Sequence, residues 1–208
     1  MTQRTTPVEG NRSIVIEDPP IAQILFSNTR LAWIWLPLRF WLGYQWLEAS
    51  THKITNPEWM GSGAAIRSYW ERAVAINPAT GKDLITYDWY QWFINLLLAT
   101  HSEVWFGKLV AIGELAIGLG LILGAFVGVA AFFGGLMNWS FLMAGTISTN
   151  PLLFAFTGLL ILAWKTAGFY GLDRYILPLV GTPWQERRPN AGPGALKRAP
   201  LRPSTAPP

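Results

Sequence analysis

The chain has 208 residues, 51% hydrophobic and only 13% charged, where soluble domains carry about 25% charged residues. It contains no cysteine, which excludes a disulfide, a Cys-ligated iron–sulfur cluster, c-type haem attachment and thiol catalysis. The net charge of +4 is concentrated at the two ends and reads as membrane orientation, not nucleic-acid binding.

In chain order, residues 1–20 are polar and carry Pro7, Pro19 and Pro20. They lack the apolar core of a cleaved signal peptide, so 1–28 is expected to be a cytoplasmic arm, with an interfacial helix near 21–26. Span one is expected over 31–49, kinked at Pro37, where a backbone donor is lost. Residues 50–103 are mixed polar and aromatic, with turn signals at Asn56-Pro57, Gly61–Gly63 and Asn77-Pro78. Two helices fit between these signals. The first, 64–76, places Ile66, Tyr69, Trp70 and Ala73 on one face; the second, 83–100, has an apolar run too short to span. This region is expected to form an extracytoplasmic cap.

Span two is expected over 104–126, apolar except for Lys108 and Glu114, and long enough for a hydrocarbon core of about 30 Å. Span three follows over 129–148 after a short turn. Span four follows over 151–170, with Pro151 favoured at a first helical position. Residues 185–208 are rich in Pro, Lys and Arg and read as a disordered basic tail. Arg4, Arg12 and Arg30 at one end, and Arg174, Arg187, Arg188, Lys197, Arg198 and Arg202 at the other, put both termini in the cytoplasm by the positive-inside rule. The fold class expected is an all-α integral membrane four-helix bundle, multi-pass in the cytoplasmic membrane of a prokaryote.

Three polar residues fall near the midplane of these spans: Glu114 roughly 15 Å deep, Arg39 roughly 12 Å and Asn138 roughly 14 Å. A carboxyl group at that depth is costly, about 2.5–3.5 kcal/mol on insertion scales. Small residues share its face: Gly107, Ala111, Gly118 and Ala125 on span two, and Ala131, Gly134, Gly135 and Gly145 around Asn138 on span three. Such stripes let helices approach closely. An Arg39–Glu114 ion pair with Asn138 hydrogen-bonded to one of them is therefore expected. The pair could fix helix register, or handle a ligand or protons. Lys108, Lys165 and Glu48 lie near span ends and can snorkel. His52 and His101 are expected at the outer rim, as plain rim residues, as a proton relay or as haem ligands. No phosphate loop, dinucleotide motif or zinc ligand set occurs.

The Arg within LPLRFWLGYQWLEASTHKI, the Glu within GELAIGLGLILG and the closing GFYGLDRYILPLVGTPW resemble the DoxX/DoxD family over about 29–184, and its DoxD branch in particular. The resemblance implies the small membrane subunit of a thiosulfate:quinone oxidoreductase, working with a second subunit. Thiosulfate would be oxidised to tetrathionate outside the membrane and electrons passed to quinone. It carries over Arg39 and Glu114 as motif positions. On this reading Arg39 and Glu114 are the catalytic pair, and Asn138, Trp139 and His101 join them in binding quinone. Trp41, Trp46, Trp105 and Trp139 flank the head group, and Arg67 with Arg72 is the candidate for holding the thiosulfate anion. The alternative is a non-catalytic scaffold subunit of a larger respiratory or photosynthetic complex, and a transporter or channel is a third class.

Overall fold

The computed structural model describes residues 18–76 and 81–181, and these are helical with no strand among them. Most of the N-terminal arm, the Asn77-Pro78 turn and the basic tail lie outside the described residues. The helices are α1 (Pro20–Ser27), α2 (Trp35–Ile54), α3 (Pro57–Met60), α4 (Ala64–Val74), α5 (Asp88–Ala99), α6 (Glu103–Leu123), α7 (Val127–Met143), α8 (Asn150–Leu162), α9 (Trp164–Ala167) and α10 (Asp173–Leu179). A 3-10 turn, Thr29–Ile34, leads into α2.

Among the described residues, α6 is the one helix long and apolar enough to cross a membrane; α7 and α8 are apolar but shorter. The helix expected as span one, α2, differs from its expected limits. Its start is 3-10, and Pro37 falls in the first turn of α2, where a backbone donor has no intrahelical acceptor to lose. Its end lies beyond Ala49, because nothing in Ser50–Ile54 breaks a helix before Asn56-Pro57. The segment expected as span four is interrupted at Ala163, between α8 and α9. Pro151 does sit in the first turn of α8.

α2 and α6 run antiparallel in close contact. A Cβ on Gly43 would stand 2.9 Å from Ile122 and 3.2 Å from the Gly118 carbonyl, and one on Gly118 would stand 2.8 Å from the Leu47 side chain. Small residues at these positions set the helix separation. Leu42, Trp46, Ile117, Leu121 and Leu160 form the core between α2, α6 and α8. On α7, Ala131, Gly134, Gly135 and Asn138 are buried together, whereas Gly145 lies beyond its end and is exposed.

The cap forms a second core. Ile66, Trp70 and Ala73 of α4 and Ile94 and Leu97 of α5 pack with Val110 of α6. Gly63, at φ +72°, makes this docking possible: a Cβ there would lie 2.5 Å from the Glu103 carbonyl carbon.

At the opposite end, the α6–α7 turn is held from outside itself. Gly124 ends α6 at φ +65°, and the Ala125 amide bonds back to the Gly120 carbonyl at 2.9 Å, a left-handed helix stop. Phe126 follows at φ +49° and has no capping side chain to offer α7. Asp173 supplies the cap instead, accepting from the Phe126 and Val127 amides at 2.6 and 2.9 Å. The Asp173 amide donates to the Gly124 carbonyl at 2.7 Å.

Candidate functional site

Glu114 is buried on α6, 1% exposed, and its partner is Lys53 from the last turn of α2. The ammonium donates to both carboxylate oxygens, at 2.8 and 2.7 Å, and lies 5.2 Å from the Trp59 ring centre. The expected Arg39–Glu114 pair is not formed. The antiparallel register sets Arg39 beside Gly124, the guanidinium falling 2.6 Å from where a Gly124 Cβ would stand. Ten residues of α6 separate Gly124 from Glu114, roughly 15 Å. Arg39 donates instead to the Ala167 carbonyl at 2.8 Å and the Tyr170 carbonyl at 3.2 Å.

Arg39 and Asp173 are both 1% exposed and together organise the end opposite the cap. Burial pushes the Asp173 carboxyl above its ordinary range, while the Val127 and Phe126 amides and the nearby Arg39 guanidinium pull it back. The closing motif GFYGLDRY thus has a structural reading. Gly171 comes so near the α6 terminus that a Cβ would stand 2.7 Å from the Gly124 Cα, and a Cβ on Gly168 would collide with the Asp173 carboxylate.

Asn138 bonds to neither Arg39 nor Glu114. It is fully buried, and neither its Nδ2 nor its Oδ1 has a hydrogen-bond partner among the described residues. It shares with Glu114, Lys53 and Trp46 the wall of one cavity of about 1260 Å³ between the bundle and the cap. The remaining wall includes Leu109, Leu123, Phe133 and Leu136, which are themselves exposed. The cavity therefore reaches the apolar outer surface between α6 and α7.

Other expected site residues lie elsewhere. Trp139 stacks on Trp89 of α5, ring centres 5.9 Å apart, and so ties cap to bundle. Trp41 packs edge-on against Phe156, and Trp105 against Phe106; of the four expected tryptophans, only Trp46 lines the cavity. His101, on a left-handed backbone at φ +50°, lies 3.3 Å from Arg67 and 3.7 Å from Glu103, outside the cavity; His52 lines it. Arg67 is bonded by Glu71 and Glu103 at 2.9 and 3.1 Å, which leaves it a poor receptor for an anion, while Arg72 faces the cavity. The buried Tyr90 phenol donates to the Ser140 carbonyl at 2.7 Å, and burial pushes its pKa up to about 12. Lys53 is the principal site residue that the reading of spans hides.

No family model, curated protein or solved structure matches the chain.

Proposed function

We propose that the chain is a four-span, quinone-binding membrane subunit of an oxidoreductase, with the cavity between α2, α6 and α7 as its quinone site. One observation carries this reading: a large apolar cavity, open at the apolar flank, has the Lys53–Glu114 ion pair in its wall. Apolar pockets with few convergent polar groups are the usual form of small-molecule sites. A quinone enters from the bilayer, so a lateral mouth suits it.

Quinone reduction takes up two electrons and two protons. With thiosulfate as donor, two thiosulfate dianions give one tetrathionate dianion and those two electrons. The chain's role is to bind the quinone and to move protons. Glu114 holds a proton-accepting carboxylate in the cavity wall, and Lys53, with 18% of its side chain exposed, connects it to the outer rim. The chain has no thiol to form a sulfur adduct, so thiosulfate is bound non-covalently or oxidised on a partner subunit. The DoxX/DoxD resemblance supports thiosulfate as the donor.

Purified native membranes given thiosulfate are expected to reduce a soluble quinone analogue, and Glu114→Gln to lower the rate with the protein still folded. Unchanged turnover in that variant removes Glu114 from the chemistry. The scaffold reading is favoured by a different observation, the exposed aromatic face of α5, where Trp89 and Trp92 are 53% and 66% exposed. Co-purification with a large complex that shows no quinone turnover establishes it.

A further inference from the structure

We propose that α5 is an interfacial helix, lying along the lipid–water boundary with Trp89, Trp92 and Leu96 among the lipid chains and Gln91 and Asn95 towards water. This rests on the membrane reading above and adds where the cap stands: in the bilayer surface, not clear of it. Three faces of α5 carry the inference. Tyr90, Ile94 and Leu97 are buried against the bundle, and with Phe93 they line the cavity. Trp89, Trp92 and Leu96 are exposed and fall within an arc of about 60°, at about 100° per residue. Asn95 is exposed and Gln91 half-buried, one turn apart on the side away from Trp89. Asp88, at the N-terminus, is the one charged residue of the helix.

A helix on the surface of a water-soluble domain needs an apolar stripe of about 100° or somewhat more. In α5 the buried and exposed apolar side chains together run over about 240°. The protein core uses only part of that arc, and the flank of Trp89, Trp92 and Leu96 is left over. Its neighbours select the occupant. Trp139, stacked on Trp89, lies one turn before the end of α7 and completes a stripe with the exposed Phe132 and Leu136 on one helix face. The flank of α5 therefore continues the outward apolar side of α7, and tryptophan is the residue enriched near the ends of membrane helices. An amphipathic helix at the end of such a stripe fits the headgroup–acyl boundary, where apolar faces sink about 5–10 Å. Dividing one helix between protein, lipid and water is what that boundary demands; a protein partner makes no such demand.

The chain has no cysteine, so single nitroxide labels can be placed without background. The full chain is reconstituted in vesicles of phosphatidylcholine and phosphatidylglycerol, labelled singly at Leu96→Cys, at Asn95→Cys and, as a reference on α6, at Leu119→Cys. All three side chains are exposed, so the substitutions leave the core intact. Electron paramagnetic resonance reads the collision of each label with oxygen, which concentrates in lipid, and with a water-soluble nickel chelate. The oxygen-to-nickel ratio is expected to be several-fold higher at Leu96→Cys than at Asn95→Cys, and to approach the value at Leu119→Cys. With Leu119→Cys in lipid, a ratio at Leu96→Cys no higher than at Asn95→Cys overturns the placement of α5 and leaves the membrane reading standing. A Leu96→Cys label shielded from both reagents puts a protein on that flank, which overturns the placement and favours the scaffold reading. A Leu119→Cys label outside lipid overturns the placement and the membrane reading together.

Discussion

Replacing Lys53 by Met separates two partner assignments for Glu114. The substitution keeps most of the side-chain volume and strands a carboxylate that is 1% exposed. Breaking a buried ion pair by removing one partner costs about 3–5 kcal/mol. The lower end applies here, because 18% of the Lys53 side chain is exposed and water can follow it inwards. About 3 kcal/mol corresponds to a fall of about 6–12 °C in Tm for a chain of this length. Glu114→Gln leaves an amide that still accepts from Lys53, and costs less, about 1–2 kcal/mol. The decisive measurement is a pair of double-mutant cycles by thermal unfolding of the purified protein. Lys53 with Glu114 should couple by about 1.5–3 kcal/mol, while Arg39 with Glu114 should be additive within about 0.5 kcal/mol, as for sites well beyond contact. Additivity in the first cycle together with strong coupling in the second would refute the register of α2 on α6.

Further outcomes follow from other contacts. Asp173→Asn keeps one acceptor oxygen for two amides and should lower stability by about 1–2 kcal/mol, measured in the same unfolding assay. Gly168→Ala should cost about 1–3 kcal/mol by driving a methyl into the Asp173 carboxylate. Gly118→Val should be worse than Gly113→Ala, since a Cβ on Gly118 meets Leu47 at 2.8 Å and one on Gly113 meets only Met137 at 3.8 Å. Tyr90 holds its proton to about pH 12, whereas an unfolded tyrosine releases its proton near 10. Its contribution to stability is therefore complete below pH 10 and lost as pH rises from 10 towards 12, up to about 2–3 kcal/mol. Tyr90→Phe should lack that slope in alkaline denaturation.

The helical architecture was legible because its signals are local. Turn residues at Asn56-Pro57 and Gly61–Gly63 bracket α3 and α4, and Ile66, Trp70 and Ala73 recur at helical spacing and are buried together. The small-residue stripes on α6 and α7 also mark buried faces. What the sequence hid was register. Depths counted from the ends of apolar runs put Arg39 level with Glu114, because α2 was expected to stop at Ala49, where polar residues begin. A helix ends where a breaker or cap ends it, not where hydrophobicity falls, and Ser50-Thr51-His52-Lys53 continues the turns up to Asn56-Pro57. That extension brings Lys53 to Glu114. Trp139 stacks on Trp89 of the cap and does not line the cavity, because one residue beyond Asn138 means about 100° of rotation on the helix.

The cap that Asp173 provides for α7 also has a consequence for synthesis. The two amides it receives lie 46 and 47 residues earlier in the chain, so α6 and α7 leave the ribosome as a hairpin whose connecting turn lacks its acceptor until the closing motif is made. Arg39 waits in the same way for the Ala167 and Tyr170 carbonyls. One short late segment therefore completes two earlier helices at once. A nascent chain stalled before residue 173 is expected to show hydrogen exchange at the Phe126 and Val127 amides that one stalled after α10 has left the ribosome does not.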